Sequence, residues 1–292
     1  MKYRKLSKKI VVEDISQFNI NQILDCGQIF RYFISGNCAE VISVNKYAKI
    51  VTYADKVEIL TTDVEYFEHF FDLKCDYNKI KRQLSSDEFL APAIKFGYGI
   101  RILNQDLFEM IVSFIISANN NIKRIKNSLN YLSCQFGSKI DLSCDSVKGS
   151  PLTDEQCNVF YAFPTLEQLK QASVQDFVDA GLGYRAEYMY DTIQKLNNQA
   201  LRDFYLLGDD RRLEFLLSLK GIGEKVAHCI MLFAMHQTTV FPVDTWINKV
   251  YNDLTKTNCA NRKLISKVLT DRYGNLSGYA QQYFFYYYRT LK

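Results

Sequence analysis

The chain has 292 residues but no run of eighteen apolar ones, and its basic opening, Met1-Lys2-Tyr3-Arg4-Lys5, is followed by no apolar leader core. These absences set the expectation of a protein that is neither exported nor associated with a membrane. The eight cysteines (26, 38, 75, 134, 144, 157, 229 and 259) form no Cys-x-x-Cys pair and keep no regular spacing. That argues against a disulfide framework or a zinc site and for thiols in a reducing compartment. One cysteine alone lies beyond Cys229, which excludes an iron–sulfur cluster near the C-terminus. No metal and no cofactor are therefore expected. Charge of one sign is also lacking: 36 Lys and Arg oppose 32 Asp and Glu, a formal +4. A polyanionic partner, if there is one, must be met by a local patch rather than by the whole surface. No internal repeat or low-complexity tract stands out, and a monomer is the default.

What is present is a large apolar fraction, 48% hydrophobic and 14% aromatic, enough for a substantial core in one domain or two. Ala39 to Ser43, Lys49 to Tyr53 and Val57 to Thr61 are short runs rich in Val, Ile, Thr and Tyr. Separated by Asn45-Lys46 and Ala54-Asp55, they read as an antiparallel meander. From Val64 the period becomes helical and strands are not expected to return. Leu107 to Ala118 suits a central buried helix, and a basic helix follows from Ile122. Ser138 to Phe163 is polar, irregular and interrupted by Pro151, as a surface excursion would be. Further helices are expected to start near Thr165, Tyr184, Asp210, Glu224, Thr245, Arg262 and Ser277. The fold class is α+β: a small antiparallel β domain with flanking helices over residues 1–100, attached to a helical body over 101–292.

The most informative stretch is Leu219-Lys220-Gly221-Ile222-Gly223-Glu224-Lys225-Val226-Ala227. Leu213, Leu216 and Leu217 form one face of the helix before it, and Val226, Ala227, Ile230, Met231 and Ala234 the inward face of the helix after it. The tight link between them reads as a helix-hairpin-helix. Gly221 and Gly223 remove Cβ atoms where a backbone must approach or take positive φ. Their amides then stand at the positive end of the second helix, ready to hold a DNA phosphate without reading sequence. The same pattern also fits an ordinary turn between helices whose glycines only cap. Asp244, within Phe241-Pro242-Val243-Asp244-Thr245-Trp246, is a natural N-cap. Cleaving an N-glycosidic bond builds positive charge on the sugar, which a fixed carboxylate stabilises. A neutral lysine amine can attack C1′, expel the base and leave a Schiff base. Lys225, at a helix start and partly desolvated, is the candidate. Without Asp244, the preferred reading of Lys225 is a phosphate contact or a solvated surface lysine.

Together the hairpin, Lys225 and Pro242-Val243-Asp244 resemble the helix-hairpin-helix DNA glycosylase superfamily. A lysine at 225 resembles its bifunctional members, which also nick the strand by β-elimination. Four further segments are similar to the 8-oxoguanine DNA glycosylases: Gly27-Gln28-Ile29-Phe30-Arg31-Tyr32, Ser117-Ala118-Asn119-Asn120-Asn121-Ile122-Lys123-Arg124, Gly181-Leu182-Gly183-Tyr184-Arg185-Ala186 and Gly278-Tyr279-Ala280-Gln281. The resemblance implies that the carbonyl of Gly27 meets N7 of the damaged base. N7 is an acceptor in guanine but carries hydrogen in 8-oxoguanine, so such a carbonyl favours the lesion by roughly 1–3 kcal/mol. It further implies that Cys229 and Phe285 stack on the flipped base and that Gln281 meets its Watson–Crick edge. Asn119 then fills the vacated position, Tyr184 wedges beside it, and Arg124 and Arg185 read the cytosine left behind. One departure is that Trp246 stands where family members often carry a histidine. The implied partner is damaged double-stranded DNA, the enzyme a bifunctional N-glycosylase and AP (apurinic/apyrimidinic) lyase. Its place would be the nucleoid of a bacterial cytoplasm or a eukaryotic nucleus. A glycosylase for another damaged base, or a non-catalytic helix-hairpin-helix DNA-binding module, are the competing readings.

Overall fold

A computed structural model describes residues 1–61, 63–140 and 160–291. The N-terminal part holds strands β1 (Tyr3–Leu6) and β2 (Lys9–Val12), helix α1 (Ile20–Asp25), then β3 (Tyr32–Ser35), β4 (Cys38–Ser43), β5 (Lys46–Thr52) and β6 (Val57–Thr61). All six strands join one antiparallel sheet in the order β1-β2-β6-β5-β4-β3. Its inner face carries Ile10, Val12, Ala39, Val41, Ala48, Ile50, Val57 and Ile59 at every second position. They pack with Ile23 and Leu24 of α1 and with Phe67, Phe70 and Phe71 from helix α2 (Val64–Phe70) and its end. Alternation of this kind is what a sheet with one buried face requires.

The helical body follows: α3 (Tyr77–Leu84), α4 (Ala91–Phe96), α5 (Leu107–Ser117) and α6 (Ile122–Phe136), a short ladder of β7 (Lys139–Ile140) with β8 (Phe160–Tyr161), then α7 (Leu166–Leu169), α8 (Val174–Asp179), α9 (Arg185–Lys195), α10 (Asn198–Phe204), α11 (Asp209–Leu217), α12 (Glu224–Met235), α13 (Thr245–Thr255), α14 (Arg262–Tyr273) and α15 (Ser277–Leu291). Every residue of α5 from Leu107 to Ile116 is buried, so this helix is the axis of the body. Beside it runs α12, with Phe114 stacked on Phe233 at 5.6 Å between ring centroids. Tyr77, Leu90, Ile94 and Ile100 join the same core, so α3 and α4 pack on the helical side.

Several expectations need correction. β1, β2 and β3 precede the three strands read from the sequence. Strands also return after Val64, as the β7–β8 ladder. The turn between β4 and β5 falls at Val44-Asn45, one residue early, with Val44 at φ +54°. Its amide donates to Glu109 Oε2 at 2.8 Å and its carbonyl accepts from Phe163 N–H. The body thus holds the turn in a conformation a β-branched residue avoids. Helices α8 and α10 were unforeseen, and Leu217 faces solvent rather than its neighbours Leu213 and Leu216. Most of the excursion expected over Ser138 to Phe163 lies outside the described residues. No disulfide links the described cysteines, and no described helix is long and apolar enough to cross a membrane.

Candidate active site

Three helix starts converge on one cleft. Two of them are fixed by a side-chain cap, which leaves the flanking side chains little freedom. Asp244 Oδ1 accepts from Ile247 N at 2.9 Å and caps α13. Asn121 Oδ1 accepts from Arg124 N at 3.0 Å and caps α6. Gly223 begins α12 with no side-chain cap at all, so the first amides of that helix stay available. The hairpin reaches it through Gly221, which sits at φ +83°. A Cβ there would come within 3.2 Å of Tyr188 Cβ and 3.3 Å of Ile115, so glycine is needed for both conformation and space. Gly223 is different: its φ is −96° and a Cβ would meet nothing within 4 Å.

The cleft encloses about 980 Å³ and is lined by Gly27, Phe114, Asn119, Lys123, Lys225, Asp244, Trp246, Arg262, Phe285 and Arg289 among others. Lys225 and Asp244, nineteen residues apart in sequence, thus share a wall. The Lys225 ammonium lies 5.6 Å from the centroid of the Phe114 ring, which screens it from water on one side. Cys229, one turn further along α12, is buried. Burial pushes its thiol up, while the nearby Lys225 opposes that and Asp244 reinforces it. Cys229 therefore lies close to both of the other side chains. Four cationic side chains, Lys123, Lys225, Arg262 and Arg289, face the cleft against the one carboxylate of Asp244. This is the local patch that the mild overall charge left open. A smaller cavity of about 570 Å³ continues past Lys225 and Arg262 toward Lys263 and Lys267 on α14.

Gly27 also lines the cleft, at φ +80°, where a Cβ would come within 2.8 Å of the Phe285 ring. Glycine alone lets the two meet. Gln281 is buried behind them on α15, and its Oε1 has no hydrogen-bond partner. An unpaired buried acceptor is a costly feature that a ligand's N–H would relieve.

Residues 10–111 match the family described as 8-oxoguanine DNA glycosylase, N-terminal domain, and residues 112–272 match HhH-GPD superfamily base excision DNA repair protein. The chain belongs to the HhH-GPD superfamily. A probable N-glycosylase/DNA lyase of Methanothermobacter thermautotrophicus is 30% identical over 76% of this chain and 73% of its own length. The N-glycosylase/DNA lyase OGG1 of Arabidopsis thaliana is 30% identical over 64% of this chain, and the match spans about half, 51%, of that protein. Among solved structures, the Clostridium acetobutylicum 8-oxoguanine glycosylase/lyase in complex with double-stranded DNA superposes with a TM-score of 0.89. It is 36% identical, with 100% of this chain and 98% of that one covered.

Within this HhH-GPD fold Asn119 lines the cleft, while Arg124, Tyr184 and Arg185 lie around it rather than in it. Asn119 projects from the loop between α5 and α6 at φ +51° and is exposed. Arg124 is exposed one turn into α6. Tyr184 is 60% exposed, with the Arg185 guanidinium 4.3 Å from its ring centroid. Arg185 itself is buried and braces the asparagine loop: it donates to the carbonyls of Ala118 and Asn119, the latter at 2.8 Å, and to Leu182 O. It reaches an opposite base only by leaving those carbonyls. Sequence reasoning missed Phe114, Arg262 and Arg289. Phe114 looks like any core position of α5, and the two arginines lie outside every motif. Trp246, noted only as a departure, lines the cleft beside Asp244.

Proposed function

We propose that this chain is a DNA glycosylase and AP lyase that extrudes 8-oxoguanine from duplex DNA and cuts its glycosidic bond. The observation that carries this is that Lys225 and Asp244 line one cationic cleft together with Gly27 and Phe285. Once Lys225 has given up its ammonium proton, its Nζ lone pair attacks C1′ as the C1′–N9 bond breaks, and the departing base takes up a proton shed by the new, positively charged C1′-bound nitrogen. Asp244, held by its cap, stabilises the positive charge that develops on the sugar. Sugar-ring opening then gives a Schiff base between Nζ and C1′. Loss of the C2′ proton expels the 3′ phosphate and nicks the strand.

The base is taken between Cys229 and Phe285, with the Gly27 carbonyl accepting from N7–H and Gln281 facing the Watson–Crick edge. Asn119 and Tyr184 fill the gap in the duplex, Arg124 and Arg185 hold the cytosine, and the amides at Gly221 and Gly223 hold the backbone. The solved Clostridium relative contains cytosine opposite 8-oxoguanine, which supports the choice of lesion and of partner base. One chain supplies the whole cleft, as suits a monomer.

The test is borohydride trapping on duplexes that carry one 8-oxoguanine opposite each base in turn. Wild type should form a covalent adduct, most with cytosine opposite. Lys225→Gln should form none, lose all nicking and still bind the lesion; an adduct from that variant would remove Lys225 from its role.

A further inference from the structure

Gly27 belongs to a strap whose neighbouring carbonyls are all engaged. Asp25 O accepts from the Arg289 guanidinium, Cys26 O from Gln282 Nε2 at 2.8 Å, and Gln28 O from Gln105 Nε2 at 2.7 Å. The Gln28 side chain is equally committed: its Nε2 donates to Ile23 O at 2.9 Å and Arg101 O at 2.8 Å, and its Oε1 accepts from Leu103 N at 2.9 Å. Gly27 O alone accepts nothing from any described residue. A glycine at φ +80° has no Cβ to restrict it. The direction of its carbonyl is therefore set by the peptide planes on either side, and these donors fix both planes.

Two of the three clamps come from α15. Gln282 is 1% exposed and follows Gln281 directly; Arg289 lies one turn beyond Phe285, its guanidinium 5.2 Å from that ring. One helix thus carries the residues proposed to touch the base and those that aim the strap at it. We infer that Gln282 and Arg289 are positioning residues for lesion discrimination: they hold the Gly27 carbonyl where only a base with a hydrogen on N7 can meet it. The inference rests on the function proposed above, in which that carbonyl contacts the lesion. A merely structural role for the same hydrogen bonds would lower every activity in parallel. The distinguishing quantity is therefore the ratio of 8-oxoguanine excision to nicking of a preformed abasic site. The second reaction needs Lys225 but no base readout.

Gln282→Met keeps the side-chain volume without the donor, and Arg289→Met keeps the stem on Phe285 without the guanidinium. Under single-turnover conditions each should lower the ratio about tenfold, the equivalent of one well-placed hydrogen bond. Thermal melting of the same samples establishes that they are folded, and Arg289, near the end of the last helix, carries the test if Gln282→Met does not fold. A ratio equal to wild type in a folded variant overturns the inference. A wild-type chain that nicks abasic duplex yet spares 8-oxoguanine overturns instead the function on which it rests.

Discussion

A capping carboxylate has no freedom to wander, and the cap at Asp244 suits the role proposed for it, facing a charge that develops on the sugar. Its two roles can be separated, because asparagine caps a helix about as well as aspartate but carries no charge. Asp244→Asn should leave unfolding free energy within about 0.5 kcal/mol of wild type while base excision slows by about 10²–10³. Urea melts and single-turnover excision measure the two; a variant that cuts at the wild-type rate would take the carboxylate out of the chemistry. Legibility was uneven at this scale. Lys225 and Asp244 could be paired from sequence because each sits at a helix start marked by Gly-x-Gly or Pro-Val. Gln282 and Arg289 could not, since their partners are backbone carbonyls more than 250 residues away and carbonyls leave no trace in residue identity.

The hairpin between α11 and α12 uses its two glycines for different ends. Gly221→Ala forces a side chain into a left-handed backbone and against Tyr188, and should destabilise the fold by about 1–3 kcal/mol. Gly223→Ala has room and an ordinary φ, so its stability cost should stay under about 1 kcal/mol. The added methyl would nonetheless sit at the turn to which a backbone phosphate is assigned, and duplex affinity should drop. Denaturant melts beside DNA titrations at fixed salt make the comparison; unchanged affinity in Gly223→Ala would contradict the phosphate assigned to this turn. Element boundaries were most legible where caps are explicit, as at Thr165, Asp244 and Asn121. The β4–β5 turn was misplaced because Val44 is not a turn residue by composition. Glu109 and Phe163, both distant in sequence, hold it there.

Across the whole molecule, one contact between the N-terminal part and the helical body involves a half-buried histidine that binds protons differently in the folded and unfolded chain. His236, at the end of α12, has Nε2 3.1 Å from Tyr279 Oη and 3.4 Å from Asp72 Oδ2, while its buried Nδ1 has no partner. Burial holds its pKa below the usual 6.5, with Asp72 opposing and His69 and Arg101 reinforcing. As pH falls, the unfolded chain takes up the proton first, so stability present above about 6.5 is lost below it. His236→Gln should flatten the fall in unfolding free energy between about pH 7.5 and 5.5, as urea melts at each pH would measure; an unchanged slope would place the acid sensitivity elsewhere. The α+β layout was readable from the switch in hydrophobic period at Val64. Why α3 and α4 pack on the helical side was not, because burial partners between layers are a tertiary choice.

The chain contains a single tryptophan, and it is Trp246, beside Asp244 in the cleft wall. Excited at the red edge, clear of the twenty tyrosines, indole emission from this molecule comes from one spot in the cleft that Asp244 also lines. The protein therefore carries its own optical gauge: arrival of a nucleotide in the cleft, its residence and its departure can be timed by stopped flow on the unlabelled chain.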